Sequence, residues 1–197
     1  MLTAAELDRL RADITFNIPL VGSEWTFRTT WGLFSPRGID EGTLLLLDRM
    51  EIKPTDECLD LGCGYGPIGL SMARLAPQGK TIMLDKDFVA VRYSNLNAEK
   101  NGITNAKAML SNGFEQVDRA ARFDVIASNI PAKVGKEMLS LILHDARHLL
   151  KPGGRLYLVT INGLRQYMKR NLNEVFGNYD KLKQGKTYTV ALAIKES

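Results

Sequence analysis

A short strand-like run, Cys58-Leu59-Asp60-Leu61, apolar but for Asp60, leads straight into Gly62-Cys63-Gly64-Tyr65-Gly66 and then Pro67, a residue suited to the first turn of a helix. Glycine reaches backbone angles closed to other residues. A strand that empties into spaced glycines and then a helix therefore makes a tight turn that a ligand can approach closely. From residue 50 onward short β-rich runs alternate with helical stretches, the pattern of an α/β domain built on a mostly parallel sheet. Strands are expected at 58–61, 81–84, 106–110, 123–128 and 155–161. Two more, 179–183 and 188–194, lie too close together for a helical crossover and should form an antiparallel hairpin around Gln184-Gly185-Lys186. Helices are expected over 67–76, 87–101, 135–150 and 163–176, the first three stopped by Pro77, Gly102 and Lys151-Pro152-Gly153-Gly154. A ligand crevice then belongs outside the carboxyl ends of the first and fourth of these strands, where strand order reverses.

The remaining chain is a short preface. Residues 1–13 read as a small amphipathic helix, Phe16 to Thr30 as a hairpin carrying Trp25 and Phe27, and Gly42 to Met50 as a leucine-rich helix with Asp40-Glu41 at its positive end. At 197 residues this fits one domain, an extension over 1–50 joined to a core over 51–197. No run approaches the roughly 18 apolar residues a membrane span needs, and acidic Glu6 and Asp8 come early, so a cytoplasmic protein is expected. Cys58 and Cys63 are the only cysteines, too few for a zinc cluster and poorly placed for a bridge, and are expected reduced. Charge is lopsided: residues 1–150 hold 17 basic and 19 acidic side chains, residues 151–197 hold 9 and 3. A basic C-terminal quarter suits a polyanion such as nucleic acid, and equally a solvated face.

The glycine spacing argues against a dinucleotide. That fingerprint wants a third glycine at position 67, where this chain has Pro67, and Asp60 would repel a pyrophosphate. A cationic ligand suits the loop better, and S-adenosylmethionine carries a sulfonium and an ammonium group without phosphate. On this reading Asp60, Gly62, Cys63, Gly64 and Gly66 hold the amino-acid end. Asp85, ending the second strand 23 positions after Gly62, takes the ribose hydroxyls. Asp87 is better explained as a helix cap. Asn112, Gly113 and Phe114 border the adenine, although an Asn-Gly pair is also a common turn.

Ser128-Asn129-Ile130-Pro131-Ala132 closes the fourth strand across the crevice. An exocyclic amine on a nucleobase is a poor nucleophile because its lone pair is delocalised into the ring. The Asn129 carboxamide oxygen and the Ile130 backbone carbonyl can each accept one N–H and turn the lone pair toward a methyl group, with Pro131 stiffening the backbone. His144 and His148 are four apart on one helix, but Leu139, Ile142, Leu143, Ala146, Leu149 and Leu150 supply its buried face, so the histidines point outward and no metal is expected.

Taken together these segments resemble the class I S-adenosylmethionine-dependent methyltransferases of the small methyltransferase domain family, and within it the ribosomal small-subunit RNA guanine-N2 methyltransferases. Gly32-Leu33-Phe34-Ser35 with Asp40, Gly42 and Thr43 is similar to the family's entry motif, Asp60 to Gly69 to its glycine loop, and Asn129 to Gly135 to its acceptor motif. The resemblance implies a Rossmann-like α/β fold with strand order 3-2-1-4-5-7-6 and helices on both faces. It also implies S-adenosylmethionine as cofactor with contacts at Phe34, Thr43, Lys86 and Asn129, and ribosomal RNA as partner. The family's acceptor motif usually reads Asn-Pro-Pro followed by a bulky, often aromatic, residue. Here Ile130 and Ala132 depart from it. Either Phe34, Trp31 or Tyr65 stacks on the target base instead, or the acceptor is a small molecule or a protein side-chain amide.

Overall fold

The computed structural model describes residues 2–196; Met1 and Ser197, the outer ends of the expected first helix and of the expected domain, lie outside the described residues. The chain opens with α1 (Ala4–Arg11), started by a capping box in which Thr3 Oγ1 accepts from the Glu6 N–H while the Glu6 carboxylate accepts from the Thr3 N–H. None of its residues is buried. The hairpin β1 (Ile14–Leu20) and β2 (Ser23–Thr29) follows, turning at Val21-Gly22 with φ of 46° and 76°, the positive pair that a tight two-residue hairpin turn demands. Trp25 and Phe27 stack in parallel at 5.7 Å and are fully buried.

After α2 (Glu41–Leu47) come β3 (Cys58–Leu61), α3 (Pro67–Leu75), β4 (Thr81–Asp85), α4 (Phe88–Lys100), β5 (Ala106–Leu110), β6 (Phe123–Asn129), α5 (Lys136–Leu149), β7 (Leu150–Ile161), α6 (Arg165–Phe176), β8 (Asp180–Gln184) and β9 (Tyr188–Ile194). Seven strands form one sheet in the order β5-β4-β3-β6-β7-β9-β8, parallel except for β9, which runs against both neighbours. Counted from β3 this is 3-2-1-4-5-7-6, as the resemblance implies. Alternating residues face opposite sides of the sheet. Val125, Ala127, Tyr157 and Val159 join the layer that holds α2, α3, α4 and the hairpin, while Ile126, Leu156 and Leu158 join the layer under α5 and α6.

Two carboxamides fasten the hairpin to this body. Asn97, fully buried on α4, accepts from the Arg28 N–H at 2.8 Å and donates to the carbonyls of Arg28 and Tyr65. One turn on, Asn101 exchanges the same pair of bonds with Thr26. Together they satisfy the edge of β2 as a neighbouring strand would.

The largest boundary shift from the sequence reading falls at the start of the strand expected at 155–161. Lys151-Pro152-Gly153-Gly154 does not merely end a helix: β7 already begins at Leu150, paired with Phe123, and the register shifts before Arg155 meets Val125. Gly153, at φ 77°, lets the strand bulge there without losing its neighbour. Residues 162–164 form a 3-10 turn, so the last helix starts at Arg165; it ends at Gly177, left-handed at φ 80°.

Candidate active site

Parallel register brings four strand ends to one rim. Asp60 lies opposite Ala127, so the loop after Leu61 sits beside Ser128 and Asn129, with Ser128 Oγ donating to the Leu61 carbonyl at 2.7 Å. Asp85 lies opposite Leu110, which places Ser111 and Asn112 next along the rim. The loop itself is held from below: the Gly62 and Cys63 N–H groups donate to the Leu84 carbonyl, Gly66 to Cys63, and Gly64 to Asp85 Oδ2 at 2.9 Å. Gly62, Gly64 and Gly66 all have positive φ, at 76°, 58° and 99°. A Cβ built on Gly62 or Gly64 would meet no protein atom within 4 Å, so these two face open space, whereas on Gly66 it would strike Leu70. Such a cradle of exposed backbone fits the amino-acid end of a small ligand.

Asp60 lies deeper than a charged pocket floor. It is 0% exposed, its Oδ2 accepts the Gly69 N–H of α3 at 2.8 Å, and its Oδ1 is buried with no hydrogen-bond partner. Burial pushes its carboxyl up to about 7, with Asp85 adding to the rise and the Gly69 N–H opposing it. The lone oxygen is a place where a cation beneath or beside the loop would be welcome. Asp85 is half-buried and already accepts from Gly64 and, through Oδ1, from Asp87; each oxygen keeps a lone pair for a further donor. Asp87 caps α4 by accepting from Val89. Lys86 and Asn112 are exposed, Gly113 half-buried at φ 59° and Phe114 buried, its ring belonging to the core under α5. A cavity of about 450 Å³ opens beside Asn112 and Gly113, walled by Met138 and Leu141 of α5.

At the acceptor motif, Ile130 is buried and its N–H donates to the Val159 carbonyl at 2.9 Å, a ladder bond that a proline there could not make. Pro131 and Ala132 are exposed. The Asn129 Nδ2 donates to Asp40 Oδ2 at 3.0 Å, Asp40 Oδ1 at 3.2 Å and Thr43 Oγ1 at 3.0 Å. A carboxylate only accepts, so Asp40 fixes which end of the amide faces it, and Asn129 Oδ1 is turned the other way. Asp40 meanwhile caps α2 through the Gly42 and Thr43 N–H groups. Sequence reasoning found the cap and missed this second role, because 89 positions separate the partners and an aspartate before a helix is already explained locally. Thr43 is almost fully buried.

Tyr65 corrects one expectation. At 3% exposure it cannot stack on a base; its hydroxyl donates instead to the carbonyls of Gly38 at 3.1 Å and Ser35 at 3.4 Å, pinning the loop that carries Phe34 and Asp40. Phe34 and Trp31 are each 64% exposed. His144 and His148 are exposed, and both cysteines are free and buried.

The sequence model of the methyltransferase small domain matches residues 24–192. The chain belongs to that family. It is thus an S-adenosylmethionine-dependent methyltransferase, and the loop, Asp85 and the orphaned Asp60 oxygen are chemically suited to that cofactor. Among solved methyltransferases, the T. Thermophilus 16S rRNA N2 G1207 methyltransferase (RsmC), in complex with AdoMet and guanosine, superposes with a TM-score of 0.84 at 30% identity, covering 93% of this chain and 50% of that one. This methyltransferase chain therefore spans half the length of that relative. The uncharacterized protein YbxB of Bacillus subtilis (strain 168) is 37% identical over 185 residues, 92% of this chain and 91% of its own. The ribosomal protein L11 methylase of Lactobacillus delbrueckii subsp. bulgaricus shares the fold, with a TM-score of 0.65 at 20% identity over 78% of this chain and 77% of that one. No helix among the described residues is long and apolar enough to cross a membrane.

Proposed function

We propose that this methyltransferase modifies an exocyclic amine of a nucleobase in RNA, with guanine N2 of ribosomal RNA as acceptor and the cytoplasm as its location. One observation carries the reading: Asp40 and Thr43 take the Asn129 amide hydrogens, so Oδ1 is the atom left to receive an N–H. An exocyclic amine offers two N–H groups. One donates to Asn129 Oδ1 and the other to the Ile130 carbonyl, which frees the nitrogen lone pair from the ring and aims it outward. S-adenosylmethionine, when bound, supplies an electrophilic methyl group on a sulfonium.

The chain's own residues orient that methyl. The Gly62–Gly66 backbone receives the amino-acid end, with Asp60, sealed beneath the loop, acting on its positive charge through the field of the carboxylate and not by contact, and with Cys63 as a small buried residue that keeps the turn tight. Thr43, whose hydroxyl accepts from Asn129, retains a proton to donate. Asp85 takes the ribose, Lys86 lies beside it, Asn112 and Gly113 border the adenine over the edge of Phe114, and Phe34 covers the entrance. The guanosine held in the RsmC complex, and the N2 specificity of that enzyme, support the same acceptor at 30% identity. After transfer the nitrogen is acidic and releases its proton without a strong base, so the site works by positioning and hydrogen bonding.

Replacing Asn129 by Ala should lower kcat on ribosomal RNA by about 100-fold or more, the scale for one lost transition-state hydrogen bond, while S-adenosylhomocysteine affinity stays within about three-fold. Titration calorimetry beside single-turnover kinetics reads both. Parallel loss of cofactor affinity would place Asn129 in the cofactor site alone. Ala132, exposed and without a ring, favours a second reading, a small-molecule or protein amide acceptor. Tritium from labelled donor found in such a fraction and absent from RNA would select it.

A further inference from the structure

The 31–40 loop touches Asn129 through Asp40, and its Trp31–Arg37 part faces α1 across a groove of about 700 Å³. Leu7, Leu10 and Arg11 of α1 and Ile14 form one wall, and Trp31 and Arg37 stand in the other. Large apolar side chains lie open here: Trp31 is 64% exposed, Leu10 54% and Leu7 39%. A contiguous apolar surface with an open indole is built to be covered. The charged groups lining it are all arginines, since no carboxylate is among its lining residues. Among the described residues Arg37 makes no ion pair, and Arg11 makes one, at 3.7 Å with exposed Asp8. An indole face flanked by guanidinium forks matches a stacked nucleobase with its phosphate, and it does not match an apolar peptide, which would leave both cations unused.

The loop is also a rigid spacer to the chemistry. Ser35 holds a left-handed backbone at φ 47°, its Oγ donates to the Gly38 carbonyl at 2.7 Å, and Tyr65 clasps the same turn from below. From Trp31 to Asp40 the chain can reach at most about 30 Å even if fully extended, so a strand in the groove passes the acceptor slot within a few nucleotides. The wall built by α1 and Ile14 precedes residue 24, where the family match begins, so this surface lies outside the matched methyltransferase domain.

From this geometry we infer that the groove between α1 and the 31–37 loop seats a nucleotide of single-stranded RNA flanking the methylated one, its base on Trp31 and its phosphate between Arg11 and Arg37. The inference rests on RNA being the substrate. It gives the acceptor motif, which lacks an aromatic at Ala132, a stacking platform within a few nucleotides of the target.

Trp31 reports on itself, because the chain's other tryptophan, Trp25, is buried. Titrating the full-length protein, saturated with S-adenosylhomocysteine, with a guanine-containing single-stranded RNA oligonucleotide should quench Trp31 fluorescence in a salt-dependent manner. Trp31→Ala should raise KM for RNA at least about five-fold with the effect falling on KM rather than kcat, Trp31→Phe should restore most of it, and Arg37→Ala should weaken binding and flatten its salt dependence. Melting temperatures confirm that the exposed-site variants fold. RNA methylation with unchanged KM in both Trp31→Ala and Arg37→Ala overturns the groove and leaves the proposed activity standing. A concentration-dependent Trp31 blue shift without RNA would assign the groove to a second copy of the chain and overturn it too. Absence of RNA methylation by the wild type, with Trp31 unquenched, removes the proposed activity and the groove together.

Discussion

Two carboxylates near the crevice do different work because of what surrounds them. Asp40 is half-buried and spends its oxygens on the start of α2 and on the Asn129 amide. Asparagine caps a helix about as well as aspartate, but its side chain can present either a donor or an acceptor to Asn129. Asp40→Asn should therefore cost less than about 1 kcal/mol of stability and at least about ten-fold in kcat, as Asn129 loses its fixed orientation; steady-state kinetics alongside thermal unfolding separates the two. Asp60 is sealed under the loop and held up to about 7 against its ordinary 3.8. Between those values the folded protein binds more protons than the unfolded chain, so stability without ligand should fall as pH rises from about 4 to 7 and then level off. Cofactor affinity should move oppositely, rising toward pH 7 as the carboxylate ionises beside a cationic ligand. Asp60→Asn should flatten both profiles, measurable by thermal unfolding and calorimetry across that window. From sequence, Asp60 was identifiable as a strand-end acid beside glycines. Its seclusion was not, because burial depends on Gly69 letting α3 close over it: a Cβ there would lie 2.4 Å from Met83 Cγ.

Elements with strong periodicity were readable before any coordinates. The alternation around Trp25 and Phe27 foretold the hairpin, and Pro67 and Asp87 mark helix starts that the structure shows. What could not be read was how the hairpin attaches. Asn97 looks like any polar residue in a helix, yet it is fully buried and binds Arg28 and Tyr65 across distances of 69 and 32 positions. The β7 start escaped notice because Pro-Gly-Gly usually breaks structure, and only the pairing of Leu150 with Phe123 makes it a bulged strand. Truncating Asn97 to Ala strands one N–H and two carbonyls away from water, so we expect a loss of about 2–4 kcal/mol in urea unfolding. The same change should loosen the Tyr65 anchor and lower RNA methylation beyond what stability alone explains.

At the scale of the molecule, the sheet order gathers the ends of β3, β4, β5 and β6 onto one rim; alternating strands and helices made the mostly parallel sheet legible, and the resemblance to the small methyltransferase family supplied its order. The 31–40 loop completes the site from outside the sheet, through Asp40 and Tyr65, which no periodicity reveals. The basic C-terminal excess has a structural explanation of its own: Lys181 and Lys183 lie on exposed β8, the free edge of the sheet, where lysines discourage a further strand from pairing. β8 is three strands from β6, whose end carries Asn129, about 14 Å at ordinary strand spacing, so on the proposed reading these lysines meet RNA that extends beyond the target nucleotide. The claim that unites these scales is that Asn129 Oδ1 is aimed to receive an amine hydrogen from a base. Small-subunit ribosomal RNA incubated with the protein and S-adenosylmethionine carrying a deuterated methyl group, then digested and resolved by nucleoside mass spectrometry, tests it directly. The label should appear on guanosine N2 and vanish with Asn129→Ala; label on a ring nitrogen, a ring carbon or a ribose, or none in RNA at all, would contradict it.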